Sequence, residues 1–281
     1  MRLICTRSAS FIAAIVFLLI FFFLLAGKAG HTQKLDVPYV PTPHTVVASM
    51  LEVANVGPGD YVIDLGSGDG RIVIAAARRG AFGHGMDLDP VRVTEAEQNA
   101  EQAGVTDKVL FFEGDLFEAD ISRASVITMY LLQSVNMRLK PVLFEELRPG
   151  TRIVSFTFSM GQWKADEHIR VDNRDVYYWV IPANLRGRWE WAFNGEDYVM
   201  DVQQEFQKIN LELRTGNKAF RVRDAVVNGE RVSFFALDPD NGNRYAFNGR
   251  VDDDSIVGTI QIRNDETRKI ENWNATLTRR R

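Results

Sequence analysis

Three acids stand where carboxylates could hold a nucleoside: Asp64, Asp87 and Asp115. Asp64 ends the β-branched and aromatic run Tyr61-Val62-Ile63 and is followed by Gly66, Gly68 and Gly70. Such glycines let the backbone take positive φ and let a ligand lie against main chain with no Cβ in the way. Asp87 falls 21 residues after Gly66, at the spacing from which an acid accepts hydrogen bonds from ribose hydroxyls. Asp115 follows a third apolar run and could accept from the exocyclic amino group of adenine. The glycine spacing is G-x-G-x-G with an acid two residues before it, not the G-x-G-x-x-G of a dinucleotide loop. Any one of these acids could be a solvated turn residue or a helix cap. Three of them in order, each at a strand end, describe a site. Asp89, just before Pro90, reads instead as the N-cap of the next helix.

These residues need elements to hold them. Residues 37–43 carry three prolines in seven and must be extended. An apolar three- and four-residue spacing then predicts a helix over 45–54. The turn Gly57-Pro58-Gly59-Asp60 delivers the chain to the first strand. A helix to about Arg79 follows the glycine loop, with Gly80 as a candidate cap. The pattern continues with a strand at 83–88, a helix at 90–103, and strands at 109–113 and 125–131. A helix at 137–147 and a strand at 152–158 complete it. This βαβα alternation with short connections predicts an α/β fold, a Rossmann-like open, mostly parallel sheet with helices on both faces. Its ligand would bind outside the carboxyl ends of the strands, where the strand order switches.

Beyond about Pro182 the texture changes. Tryptophans and charges cluster at Arg188-Trp189-Glu190-Trp191, and short alternating runs follow at 198–206, 219–227, 231–237, 243–247 and 255–263. Asn228-Gly229 is a hairpin signal. Residues 182–281 therefore read as a small antiparallel β-sheet or barrel domain closing near Trp273, after a nucleotide-binding domain at 31–181.

Composition narrows the function. The 281 residues are 46% hydrophobic and 25% charged, as in a globular protein. A net charge of −4 gives no electrostatic footprint for nucleic acid, which would need a basic face, so no nucleic-acid partner is expected. The single cysteine, Cys5, and four scattered histidines give no metal-ligand spacing, so no metal is expected. Arg2 and Arg7 precede an apolar run at 11–27, followed by Lys28 and small residues. Residues 1–30 thus read as a signal anchor or signal peptide, with membrane association through residues 8–27. The run is near the lower length limit for spanning a bilayer. The flanking charges favour the N-terminus inside and the enzyme outside. That orientation conflicts with a cofactor made inside cells and leaves the side of the membrane open.

The segments DVPYVPTP, VIDLGSGDGRIVIAAA, GHGMDLDP and MYLLQSVNMRLKPVLFEELRPGTRIVS together resemble one family of class I S-adenosylmethionine-dependent methyltransferases. It comprises bacterial members and, more distantly, the membrane-anchored mitochondrial protein-lysine methyltransferases. The resemblance covers roughly residues 36–163. It implies S-adenosylmethionine as cofactor, with Asp64, Gly66, Ser67, Gly68 and Gly70 cradling the methionine moiety, Asp87 the ribose and Asp115 the adenine. Tyr39, Pro41 and Thr42 would fold over it. Two departures lie near the acceptor side: Tyr130-Leu131-Leu132-Gln133 lacks the usual proline, and Phe156 stands where a histidine is common.

A sulfonium is already a strong methyl donor, so the protein must mainly align the partners and exclude water. An amine acceptor must arrive deprotonated, which a desolvated aromatic pocket encourages. Tyr130 is the candidate catalytic residue, as wall or as orienting group; a tyrosine half-buried at a sheet edge is the plainer alternative. No (Asn/Asp)-Pro-Pro-Tyr motif occurs, which speaks against methylation of base amino groups. The expected activity is methylation of a protein side chain, lysine first, near a membrane. A small-molecule or lipid methyltransferase and a non-catalytic binding protein are the alternatives.

Overall fold

Short β-branched and aromatic runs alternate with helical spacing, and each run becomes a strand. The computed structural model describes residues 39–264 and 267–279. After helix α1 (His44–Val53) come β1 (Tyr61–Leu65), α2 (Arg71–Arg78), β2 (Phe82–Asp87), α3 (Pro90–Ala103) and β3 (Val109–Glu113). Then follow β4 (Val126–Met129), α4 (Gln133–Glu146) and β5 (Arg152–Phe156). These five strands are parallel. Helix α4 starts four residues earlier than its spacing suggests. As expected, the Asp89 side chain caps α3, accepting from the Val91 N–H at 2.9 Å.

The sheet continues into a hairpin that the alternation did not predict. β6 (Glu167–Val171) and β7 (Arg174–Val180) are antiparallel, and β7 lies against β5. Asp172 and Asn173 turn the hairpin with φ of 49° and 62°, the two positive values a type I′ turn needs. The full order is β3-β2-β1-β4-β5-β7-β6, so the order reverses between β1 and β4. Ligands bind outside the carboxyl ends of strands at such a switch.

Alternation along the strands fills both faces. Ile63, Ile127 and Ile153 pack with Val135, Leu139 and Leu143 of α4. Val62, Val126 and Val154 pack with Val46, Val47, Met50 and Leu51 of α1.

The remaining strands close on themselves. β8 (Gly187–Phe193), β9 (Glu196–Glu205) and β10 (Lys208–Thr215) form successive hairpins. β12 (Arg221–Asn228), β13 (Arg231–Leu237), β14 (Arg244–Asp252), β15 (Ser255–Arg263) and β16 (Arg268–Arg279) form a meander. β16 pairs with β8 and β10 with β12, which completes an eight-stranded barrel; the two-residue β11 (Lys218–Ala219) pairs only with β10. Closure leaves no free edge for aggregation. The interior is filled by Trp189, Trp191, Phe234, Phe247 and Trp273, all buried. The barrel meets the first sheet at its strand-entry side: Gly229 O accepts from the Ala183 N–H at 2.7 Å, and a Cβ on Gly229 would stand 3.0 Å from Gly150 Cα.

Among the described residues no helix is long and apolar enough to cross a membrane. The apolar run at 11–27, and with it the expectation of a signal or anchor, lies outside the described residues.

Candidate cofactor and acceptor site

The glycine loop connects β1 to α2 at the switch point. Gly66, Gly68 and Gly70 have φ of 77°, 53° and 77°, a region side chains adopt at a cost. Space is as restrictive as φ. A Cβ on Gly66 would stand 2.9 Å from Leu131 Cδ2, and one on Gly68 would stand 2.3 Å from Tyr39 Cε2. The Gly66 and Ser67 N–H groups both donate to Met86 O at 2.9 Å, which ties the loop to β2. Ser67 faces inward: it is buried and its Cβ would stand 2.5 Å from a Cβ on Gly85.

Asp64 is the most perturbed acid. It is buried on β1, and its Oδ1 accepts from Thr128 Oγ1 at 2.7 Å across the β1–β4 pair. Its Oδ2 is buried without a partner. Desolvation, reinforced by Asp87 and Asp69 and opposed by the Thr128 bond, pushes its pKa up to about 7. A buried carboxylate oxygen with nothing to accept from is costly, and a ligand ammonium group would satisfy it. Asp87 ends β2. Its Oδ2 accepts from the Gly68 N–H at 2.8 Å and its Oδ1 from the Asp89 N–H at 3.0 Å. An ionised carboxylate has about four lone-pair sites, so capacity remains for a diol. Asp115 follows β3, and its Oδ1 accepts from the Phe117 N–H at 2.9 Å.

A second acid in the loop does a different task. Asp69 binds Arg71 through Nη2 at 2.6 Å and Nε at 2.8 Å, and Arg71 Nη1 donates to Thr42 O at 2.7 Å. Burial would raise the Asp69 carboxyl, but its hydrogen bonds from Arg71 outweigh that and hold it below the usual range. This clamp fixes the extended segment 39–43 over the loop, with Tyr39 under the Arg92 guanidinium at 4.8 Å. Neither the clamp nor Thr128 was singled out from sequence. The Asp69-Gly70-Arg71 triplet carried a signal for the first; Thr128 looks like any strand threonine.

On the other side of the switch, Tyr130 follows β4. Its ring lies 4.4 Å from Phe156 and 6.3 Å from Phe158, nearly parallel to the latter. Phe156 is buried behind it, so the departure from histidine shapes this wall from the rear. The turn after β5 is held by Asn136 of α4 and by Ser155: Phe158 O accepts from Asn136 Nδ2 at 3.1 Å and from Ser155 Oγ at 2.7 Å. Tyr39 and the glycine loop thus face the β1 side of the switch, and Tyr130, Leu131 and Phe158 the β4 side.

A 3-2-1-4-5-7-6 sheet with a glycine loop and acids at three consecutive strand ends defines a class I methyltransferase using S-adenosylmethionine. Comparison with known proteins agrees. The family model "ANTKMT methyltransferase domain" matches residues 64–167. A protein-lysine N-methyltransferase of Saccharolobus islandicus is 48% identical over 151 residues, 52% of this chain and 94% of that protein. The adenine nucleotide translocase lysine N-methyltransferase of Mus musculus is 36% identical over 47% of this chain and 57% of its own length. A crystal structure described as an RNA methyltransferase from Salinibacter ruber, in complex with S-adenosyl-L-homocysteine, is 55% identical. It covers 52% of this chain and 96% of its own, with a TM-score of 0.51.

The chain belongs to the family of these methyltransferases. It is an enzyme that transfers a methyl group, and S-adenosylmethionine is its cofactor. The residues fit that molecule: a glycine cradle that no Cβ could share, and an orphaned carboxylate oxygen beside it. When bound, the cofactor supplies an electrophilic methyl group on sulfur.

Proposed function

We propose that this enzyme methylates the ε-amino group of a lysine in a protein. The observation that carries this reading is the 48% identity to a protein-lysine N-methyltransferase across 94% of that protein's length. The site chemistry supports it. Transfer is an in-line displacement, so the acceptor nitrogen needs only to be neutral and aligned. The Tyr130, Phe156 and Phe158 rings form an apolar wall that disfavours an ammonium and favours the free amine. In this reading Asp64 meets the cofactor's amino group, Asp87 its ribose and Asp115 its adenine. Gly66, Gly68 and Gly70 admit it against main chain, while Tyr39 and Thr42 cover it. Ser67 holds the cradle in shape, its N–H donating to Met86 O at 2.9 Å and its carbonyl accepting from the Gly70 N–H at 3.0 Å.

The segment after β4 is Tyr130-Leu131-Leu132-Gln133, without the polar-Pro-Pro-aromatic arrangement used for base amino groups. That favours protein over nucleic acid as acceptor, although the Salinibacter protein is described as acting on RNA. The apolar run at 11–27 would tether the enzyme to a membrane, and its acceptors would lie nearby. Incubation of the full chain with methyl-labelled cofactor and a membrane extract tests this: label in protein bands supports it, and label confined to lipid or small molecules overturns it.

A further inference from the structure

The outer wall of the barrel from β12 to β16 is a basic face that overall charge conceals. Strand register places Arg221, Leu237, Arg244, Arg263 and Arg268 in one row across five strands. The next outward row is Arg223, Phe235, Ala246, Gln261 and Ile270. A third holds Val226, Ser233, Asn248, Thr259 and Asn272, and a fourth adds Arg231, Arg250 and Val257. Among the described residues these four rows hold seven arginines, no lysine and no carboxylate. Acids beside these rows are Glu230, paired with Arg250 at 2.8 Å, and Asp224 at the β12 bulge, and Asp265-Glu266 stand between Arg263 and Arg268 in the sequence. The strands β8 to β10 carry Glu190, Asp197, Asp201, Glu205 and Glu212 beside Arg188, Lys208 and Arg214, and Arg188 and Arg214 both pair with Asp201. Arg244, Arg263 and Arg268 are exposed neighbours, about 5 Å apart across paired strands. Like charges so placed repel, and folding alone does not call for them.

We propose that this face binds single-stranded nucleic acid. Arginine forks match phosphate oxygens bidentately, and the row repeats guanidinium groups at a spacing a phosphodiester chain can follow. Phe235 is 55% exposed beside that row and offers a ring on which a base can stack. Asn248, Thr259 and Asn272 supply donors and acceptors for base edges, while the Gln261 amide oxygen accepts from Arg268 Nε at 2.6 Å and Nη2 at 3.1 Å and orients that guanidinium. A bilayer fits less well. The apolar residues stand singly among amides, with no continuous apolar patch to insert. The arginine row also lies at the far end of the barrel. Arg231 and Arg250 border the cleft with Arg148 and Arg152 at the strand-entry side of the first sheet, three rows from it. Tyr39 lies at the opposite, carboxyl side of that sheet. The barrel lies outside the matched family model, which ends at residue 167.

The test is fluorescence anisotropy of a labelled single-stranded RNA of about 16 nucleotides with the full chain in neutral detergent. Contacts to about five phosphates should weaken binding roughly a hundredfold between about 50 and about 200 mM salt. The triple variant R244Q/R263Q/R268Q should lose about tenfold or more in affinity and about two units of the salt slope, with cofactor affinity unchanged. Phe235→Ala should lower affinity without altering that slope, and it carries the test if the triple variant misfolds. Arg78→Gln, exposed at the end of α2 and away from the barrel, should change nothing. No RNA binding at low salt, or wild-type binding by both face variants, overturns the proposal. So does loss of binding to phosphatidylserine vesicles in the triple variant when RNA binding is nil, which would assign the face to a bilayer.

Discussion

Tyr39 lies across Gly68, so closely that a Cβ on the glycine would stand 2.3 Å from Tyr39 Cε2. The extended segment before the sheet is therefore part of the cofactor site, held there by Arg71 on the Thr42 carbonyl.

Gly68→Ala forces a side chain into positive φ, at a cost of about 1–2 kcal/mol, and displaces Tyr39. The variant should melt lower and lose most of its S-adenosylmethionine affinity by calorimetry. Arg71→Ala should retain a folded sheet but weaken the cofactor, since only segment 39–43 is released. An Arg71→Ala enzyme with wild-type affinity would remove that segment from the site.

Asp87→Ala should weaken the cofactor by about tenfold or more, because a hydrogen bond to a charged group contributes about 1.5–3 kcal/mol. It also frees the Gly68 N–H, so Asp87→Asn is the cleaner comparison: it keeps acceptor capacity and should fall between the two. Equal affinity in all three proteins would mean the ribose acid lies elsewhere.

Asp64 links the site to pH. Its pKa rises in the fold from an ordinary 3.8 to about 7, so the folded state holds a proton that the unfolded state releases. Its contribution to stability is fully present below pH about 4 and is lost as pH rises through about 7. An ammonium brought to Oδ2 favours the carboxylate, so cofactor binding should expel a proton and tighten as pH approaches 7. Asp64→Asn should raise the melting temperature above neutral pH while weakening the cofactor. Thr128→Val removes the bond that lowers this pKa and should move the onset of binding to higher pH. Calorimetry in buffers of different ionisation enthalpy reads the proton directly; no proton release would refute the pairing.

Tyr130 separates wall from orienting group. Tyr130→Phe keeps the ring stacked near Phe158 and should leave turnover almost unchanged if the ring is a wall. If the hydroxyl orients the acceptor, kcat falls with little change in KM. Tyr130→Ala should impair either function.

The cofactor half of the site was legible because glycine spacing and strand-end acids are local signals. Asp64 and Asp87 stand at the carboxyl ends of β1 and β2 and Asp115 just past β3, and the backbone carries them to one edge. What the sequence concealed depends on pairing between distant residues. Thr128 meets Asp64 only because β4 pairs with β1, and the β6–β7 hairpin rests on Asp172-Asn173, a turn pair easily passed over. The arginine row is hidden for the same reason: Arg221, Arg244, Arg263 and Arg268 become neighbours only through barrel register. A chain-wide charge of −4 averages that face with carboxylates spread over the rest of the chain.

The central claim is that the methyl group reaches a lysine nitrogen, and the direct measurement is the chemical identity of the methylated product. The full chain is incubated with methyl-labelled S-adenosylmethionine and cell extract. The product is divided between protease and ribonuclease treatment, and the protein is hydrolysed for amino-acid analysis. Label released by protease, resistant to ribonuclease and recovered as methyl-lysine, and reduced in the Asp87→Ala enzyme at sub-saturating cofactor, is the expected result. Label released by ribonuclease, or recovered in any residue other than lysine, would contradict it.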